Sequence, residues 1–188
     1  MDTPPDAVAS ECAPCATWNQ ARAPFRLHGS SYYVGVEGLS VVAIDTGEGL
    51  VLVDAALPQS VPLIERNLAT LGFSLADVRY VVNSHAHFDH AGGIAAIARR
   101  TGATVVASAW GAKALQSGAA LPGDPQHGYG DDMDFPPVAG PVKILADGDT
   151  LSLGTLRLRM IATPGHTPGG SSWTWESCEA DDCRQLVF

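Results

Sequence analysis

Short apolar runs rich in β-branched residues, each closed by a turn signal, occupy both ends of this chain, with helical patterns between them. Phe25–Leu27, Tyr32–Val36, Leu39–Ile44 and Leu50–Asp54 come first, punctuated by Gly29-Ser30, Gly38 and Gly47-Glu48-Gly49. Runs that short between such turns predict an antiparallel meander. Residues 58–71 carry apolar side chains at helical spacing and end at Gly72. A strand at Val78–Val82, a helix over 92–101, a strand at Thr104–Ala107 and a helix at Trp110–Gln116 follow. Strand-like runs resume at Val142–Leu145, Leu151–Leu153 and Leu156–Ile161. Ser171–Trp175 alternates polar and aromatic residues, which places Trp173 and Trp175 on one face, as core. Strands, then helices, then strands predict a mixed α/β layer protein.

Two segments stand apart. Residues 1–24 are rich in Pro, Ala and Cys and read as an irregular N-terminal segment. Residues 118–140 are dense in Gly, Pro and Asp, longer than most internal connections, and are expected to form a flexible functional loop. The rest, 25–188, reads as one domain, since 46% of the chain is apolar and that is enough for a sizeable core. Gln185–Phe188 stops inside an apolar run, which predicts a chain cut within a strand.

Charge excludes one class of partner. Eleven Lys and Arg face 20 Asp and Glu, for a net charge of −9. No basic run exists to grip a phosphate backbone, so no nucleic-acid partner is expected. No apolar stretch nears the roughly 20 residues of a membrane span, so no membrane partner is expected either. MDTPPDAVASEC lacks the basic and apolar parts of a signal peptide. That fits a chain beginning after a cleaved signal, or a cytosolic one. The four cysteines form two close pairs, Cys12 with Cys15 and Cys178 with Cys183, a usage that hints at disulfides and an oxidising compartment. Cys12-Ala-Pro-Cys15 also has the spacing of half a zinc site or a redox motif, but no second CxxC completes a four-thiolate site.

The chemistry concentrates in Asn83-Ser84-His85-Ala86-His87-Phe88-Asp89-His90. Three histidines and an aspartate follow directly on an apolar strand, where open α/β sheets build their sites. In an extended turn His85 and His87 would aim the same way, with Asp89 and His90 reaching an adjacent point. Imidazole with carboxylate suits zinc or iron. His166 lies in the rigid turn Thr163-Pro164-Gly165-His166-Thr167-Pro168-Gly169, and a cluster in need of a third imidazole recruits it. His28 reads as a strand-end residue and His127 as an exposed loop residue. Asp54 has two readings, a turn cap or a carboxylate that orients metal ligands from behind. The chain has no G-x-S-x-G elbow, P-loop or G-x-G-x-x-G.

His85-x-His87-x-Asp89-His90, preceded by Leu52-Val53-Asp54 and followed by Gly165-His166-Thr167, resembles the metallo-β-lactamase superfamily. The resemblance runs from about Tyr33 to the end. SHAHFDHAGG, Asp124-Pro125-Gln126, PGHTPGGSSWTW and the Cys178/Cys183 pair are similar to class B β-lactamases of the third subclass. It implies an αββα sandwich whose second half is incomplete here. It implies two zinc ions: the first on His85, His87 and His166, the second on Asp89, His90 and a further histidine, although no histidine follows His166. Zinc brings the pKa of bound water to near 7, so hydroxide would open the β-lactam ring of penicillins, cephalosporins or carbapenems. Asp89 would be the catalytic residue, orienting the water and shuttling a proton. Gln126 or Tyr129, in the 118–140 loop, would touch substrate. Cys178 and Cys183 would close a hairpin as a disulfide, consistent with a periplasmic or secreted protein. The alternatives are a glyoxalase II-type thioesterase, a lactonase, or a fragment without activity.

Overall fold

A computed structural model describes residues 4–188; Met1 to Thr3, the first residues of the N-terminal segment, lie outside the described residues. In the order of the chain, the strands are β1 (Phe25–His28), β2 (Ser31–Tyr33), β3 (Val42–Asp45), β4 (Leu50–Val53), β5 (Val78–Val82), β6 (Thr104–Ala107), β7 (Lys143–Ile144), β8 (Thr150–Leu153), β9 (Leu156–Ala162), β10 (Ser171–Glu179) and β11 (Asp182–Val187). The helices are α1 (Cys15–Trp18), α2 (Val61–Thr70), α3 (Phe88–Ala91), α4 (Ile94–Thr101) and α5 (Ala109–Ser117).

The described strands form a seven-stranded sheet in the order β1 to β7 and a four-stranded sheet, β11-β10-β9-β8. β1 to β4 make the expected antiparallel meander. From β4 onward the pairing turns parallel, with helices crossing between strands. A parallel sheet covered on both faces reads as continuous apolar sequence, and Leu-Val-Leu-Val of β4 is buried at every position. Leu50 and Leu52 join the core beneath α2 and α4, while Val51 and Val53 face the second sheet. In α2 the period is helical: Val61, Ile64 and Leu68 are buried, and Asn67 donates to the carbonyls of Val34 and Gly35.

The second sheet alternates instead. In β9, Leu156, Leu158 and Met160 point inward, and Arg157, Arg159 and Ile161 point out. Trp173 and Trp175 of β10 are both buried in the inter-sheet core, as their spacing predicted. This helix–sheet–sheet layering fits the αββα sandwich with an incomplete second half that the resemblance implies. No helix among the described residues is long and apolar enough to cross a membrane.

Two expectations are refined. The 118–140 segment is anchored at a few residues, while 127–132 stay exposed. Phe135 and Val138 are buried in the helix-side core, and Asp124 is buried toward the histidines. The helix expected over 92–101 is α4, Ile94–Thr101, and a separate helical turn, α3, precedes it at Phe88–Ala91. Within the N-terminal segment, a 3-10 turn at Pro5–Ala7 and α1 interrupt the irregular chain. The ambiguity over Cys12 and Cys15 is resolved: they form a disulfide, as do Cys178 and Cys183 across the β10–β11 hairpin.

Candidate metal centre

β4 and β5 run parallel, so their carboxyl ends meet at one edge of the sheet, the position where α/β sheets hold their sites. Asp54 leaves β4 there with φ of 59° and no solvent exposure. Its backbone N–H donates to the Val82 carbonyl at the end of β5. Asp54 Oδ1 accepts from the Ser84 N–H at 2.7 Å and from Asn83 Nδ2 at 3.0 Å. Its Oδ2 accepts from the Ser84 hydroxyl and from His90 Nδ1, the latter at 2.8 Å. The buried carboxylate therefore ties the start of the histidine segment to its end. Of its two earlier readings, the structure selects the orienting one.

His85, His87 and His90 are each held through one ring nitrogen, which turns the other toward the cluster. Ser84 gives its proton to Asp54, so it accepts from His85 Nδ1–H at 3.1 Å, leaving the lone pair on His85 Nε2. His87 Nε2–H donates to Asp124 Oδ1 at 2.9 Å, which leaves the Nδ1 lone pair facing His166 Nε2. His90 Nδ1–H donates to Asp54, leaving Nε2 at 3.7 Å from Asp89 Oδ2. Such partners fix the tautomer and ring direction of a metal ligand. The helical turn α3 swings Asp89 and His90 away from the extended His85–His87 stretch, which separates two donor groups.

His166 arrives from the far side. The Ser171 N–H donates to the Ser84 carbonyl at 2.8 Å, which clips the turn before β10 onto the histidine segment. Gly169 lets that turn lie against α5, since a Cβ there would meet the Gly111 nitrogen at 2.8 Å. His166 is exposed, so the cluster is open to solvent on that side.

Two triads result. His85, His87 and His166 form one, and His85, Asp89 and His90 the other, each with ligand atoms within 4.8 Å of one another. His87 Nδ1 and His166 Nε2 stand 3.1 Å apart. Two nitrogens on one tetrahedral zinc at ordinary bond lengths are separated by about 3.3 Å, so the donor set fits such an ion. Electrostatics agrees. Burial, then the neighbouring His90, push the His85 pKa down to about 3, which keeps the ring neutral and able to ligate. At His90 burial pulls downward, but the Asp54 hydrogen bond and the charges of Asp54 and Asp89 outweigh it and hold the pKa above its ordinary value.

All five sequence-predicted metal residues, His85, His87, Asp89, His90 and His166, are thus brought together. His28 is elsewhere, buried at the end of β1 with Nε2 donating to the Asp182 carbonyl. His127 is exposed and bonded to the Ala120 carbonyl. Gln126 and Tyr129 line a cavity of about 430 Å³ with Trp18, Phe88 and Met133, and none of the histidines belongs to its lining. Sequence reasoning missed two residues that hold the ligands in place. Ser84 stood inside the motif unremarked. Asp124 was noted as part of Asp-Pro-Gln, without its partner His87.

The family model described as the metallo-beta-lactamase superfamily matches residues 34–179, most of the chain. The chain belongs to that superfamily. Solved structures narrow the likeness to its B3 subclass. A B3 metallo-β-lactamase with an active-site glutamic acid superposes with a TM-score of 0.95 at 44% identity, covering 100% of this chain and 69% of that one. The Rm3 metallo-β-lactamase gives 0.88 at 47%, covering 94% and 65%. A B3 enzyme of Bradyrhizobium japonicum gives 0.85 at 39%, covering 94% and 65%. Among curated relatives, a hydroxyacylglutathione hydrolase of Anaeromyxobacter dehalogenans is 35% identical over 52% of this chain and 29% of its own. A probable metallo-hydrolase of Burkholderia pseudomallei is 30% identical over 79% of this chain and 52% of its own. The chain spans about a third to a half of the length of these two curated relatives. Superfamily membership and this donor set together make the histidine cluster a candidate metal centre.

Proposed function

We propose that this chain carries the zinc site of a B3-type β-lactamase that opens the four-membered ring of penicillins, cephalosporins and carbapenems. The observation that carries this is the superposition of the entire chain on a B3 enzyme, at 44% identity and a TM-score of 0.95. His85, His87 and His166 would hold the first zinc. Asp89 and His90 would hold the second, with a further ligand beyond these five residues. Zinc in such sites supplies Lewis acidity and a nucleophile at neutral pH.

The chain's own residues do the rest. Asp54 and Ser84 keep the lone pairs of His90 and His85 turned toward the cluster. The open side at His166 admits the small substrate. Asp89 is the proposed catalytic residue. Its Oδ2 lies 3.7 Å from His90 Nε2, and the carboxylate would take a proton from the water that attacks the lactam carbonyl and pass it to the nitrogen as the C–N bond breaks. The same reading divides the protein into an N-terminal segment, 1–24, and the catalytic domain from residue 25. It places the protein in the periplasm or outside the cell, supported by the two disulfides.

A glyoxalase II-type thioesterase is the second reading, favoured by the hydroxyacylglutathione hydrolases among the relatives. Both are tested together. Penicillin and carbapenem hydrolysis is followed by absorbance, with and without a chelator, beside hydrolysis of a glutathione thioester. The assay uses this chain and a longer one matching the length of the structural relatives. Chelator-sensitive loss of the β-lactam absorbance is the expected result. Turnover of the thioester with every β-lactam left intact overturns it in favour of the second reading.

A further inference from the structure

Asp124 occupies an unusual electrostatic position. Its side chain is fully buried, yet only one carboxylate oxygen is satisfied. Oδ1 accepts from His87 Nε2 at 2.9 Å and from the Gln126 N–H at 2.8 Å. Oδ2 has no partner. A buried carboxyl group with one oxygen unpaired is poorly compensated. It becomes well compensated when the other nitrogen of the His87 ring binds a cation, because the ring then donates a charge-assisted hydrogen bond.

The same residue organises the 118–140 segment. Its N–H donates to the Leu121 carbonyl, and its own carbonyl accepts from the His127 N–H. The segment is anchored further on by Phe135 and Val138 in the helix-side core. Asp124 thus belongs both to the turn of this loop and to the setting of His87. Without the carboxylate, His87 is free to carry its proton on Nδ1, and a protonated Nδ1 has no lone pair to offer.

We infer that Asp124 is a positioning residue that couples the 118–140 loop to metal loading, by holding the His87 proton on Nε2. The inference rests on the reading that His85, His87 and His166 hold a metal. Coupling is reciprocal: if the loop's carboxylate favours the metal, the metal favours the ordered loop to the same extent.

The experiment compares wild type, Asp124→Asn and Asp124→Ala as full 188-residue chains. Zinc affinity is measured by competition with a chromophoric chelator, and amide hydrogen exchange is followed at Asp124, His127 and Tyr129 with and without zinc. In wild type, zinc slows exchange at these amides. In Asp124→Ala zinc affinity falls about 10- to 100-fold, and the zinc-dependent slowing disappears. Asp124→Asn keeps the acceptor but loses the charge, so its affinity falls about tenfold, the lower end of that range. A merely structural role would raise exchange equally with and without zinc. Wild-type zinc affinity in Asp124→Ala, or exchange in wild type that ignores zinc, overturns the coupling while leaving the metal site standing. Absence of zinc binding in wild type overturns the site itself. If Asp124→Ala does not fold, Asp124→Asn decides, and equality with wild type sinks the proposal.

Discussion

The two sheets solve the same burial problem with opposite sequence patterns. β4 is Leu-Val-Leu-Val and has no exposed position, because helices cover one face and the second sheet the other. β9 is Leu-Arg-Leu-Arg-Met-Ile-Ala, and its inward and outward residues alternate because one face meets water. The difference reaches the site. The sheet covered on both faces ends in a rigid, dry edge, and Asp54 sits there with no exposure. The half-covered sheet contributes His166, on an exposed turn. A metal site in a hydrolase needs both: fixed ligands on one side and access on the other.

The largest effect is expected where the two sheets are pinned together. Trp173 is fully buried between them, and its Nε1–H donates to the Asn83 carbonyl at 3.1 Å. Trp173→Ala is expected to destabilise the fold by about 3–5 kcal/mol, read from the urea midpoint. It also frees the carbonyl beneath the histidine segment, so zinc affinity should fall with stability. A variant of near wild-type stability would mean that the sheets are held together by other contacts.

Next comes the dry edge itself. Asp54→Asn replaces a carboxylate oxygen with an amide that cannot serve both Ser84 and His90, and about a 10- to 100-fold loss of zinc affinity is expected. Its pH signature separates charge from packing. Asp54 holds the His90 pKa above its ordinary value, and zinc must displace that proton. Zinc affinity in wild type should therefore fall about tenfold per pH unit through this one group once pH drops below the raised pKa. In Asp54→Asn that fall should begin at lower pH. His85, whose pKa lies at about 3, adds nothing in the same range. Identical pH profiles for the two proteins would remove Asp54 from its orienting role.

The legibility of the two regions differed for the same physical reason that their patterns differ. Strands and helices came from local periodicity, and the histidine segment was readable because its donors are contiguous. His166 needed the unfinished histidine cluster as well as its Pro- and Gly-framed turn, since a lone histidine carries little signal. Asp54 was left with two roles because its partners, Ser84 and His90, lie 30 and 36 residues away and meet it through the parallel pairing of β4 and β5. Asp124 was harder still. Its segment is so rich in Gly and Pro that it reads as loose, and the contact that fixes it spans 37 residues. Leu121, Met133, Phe135 and Val138 held the local hint that this loop packs.

The smallest expected effects test the comparison most directly, by making one kind of change on both sheets. Val53→Thr places a hydroxyl at a position with no exposure, facing the second sheet, and about 1–3 kcal/mol should be lost. Ile161→Thr makes a similar polar change on the outward face of β9, where the side chain is 36% exposed. There the hydroxyl can meet water and threonine suits a strand, so stability should stay within about 0.5 kcal/mol of wild type. Equal losses at the two positions in urea unfolding would show that the outer face of β9 is covered in solution, and the contrast between a doubly covered and a half-covered sheet would have to be abandoned.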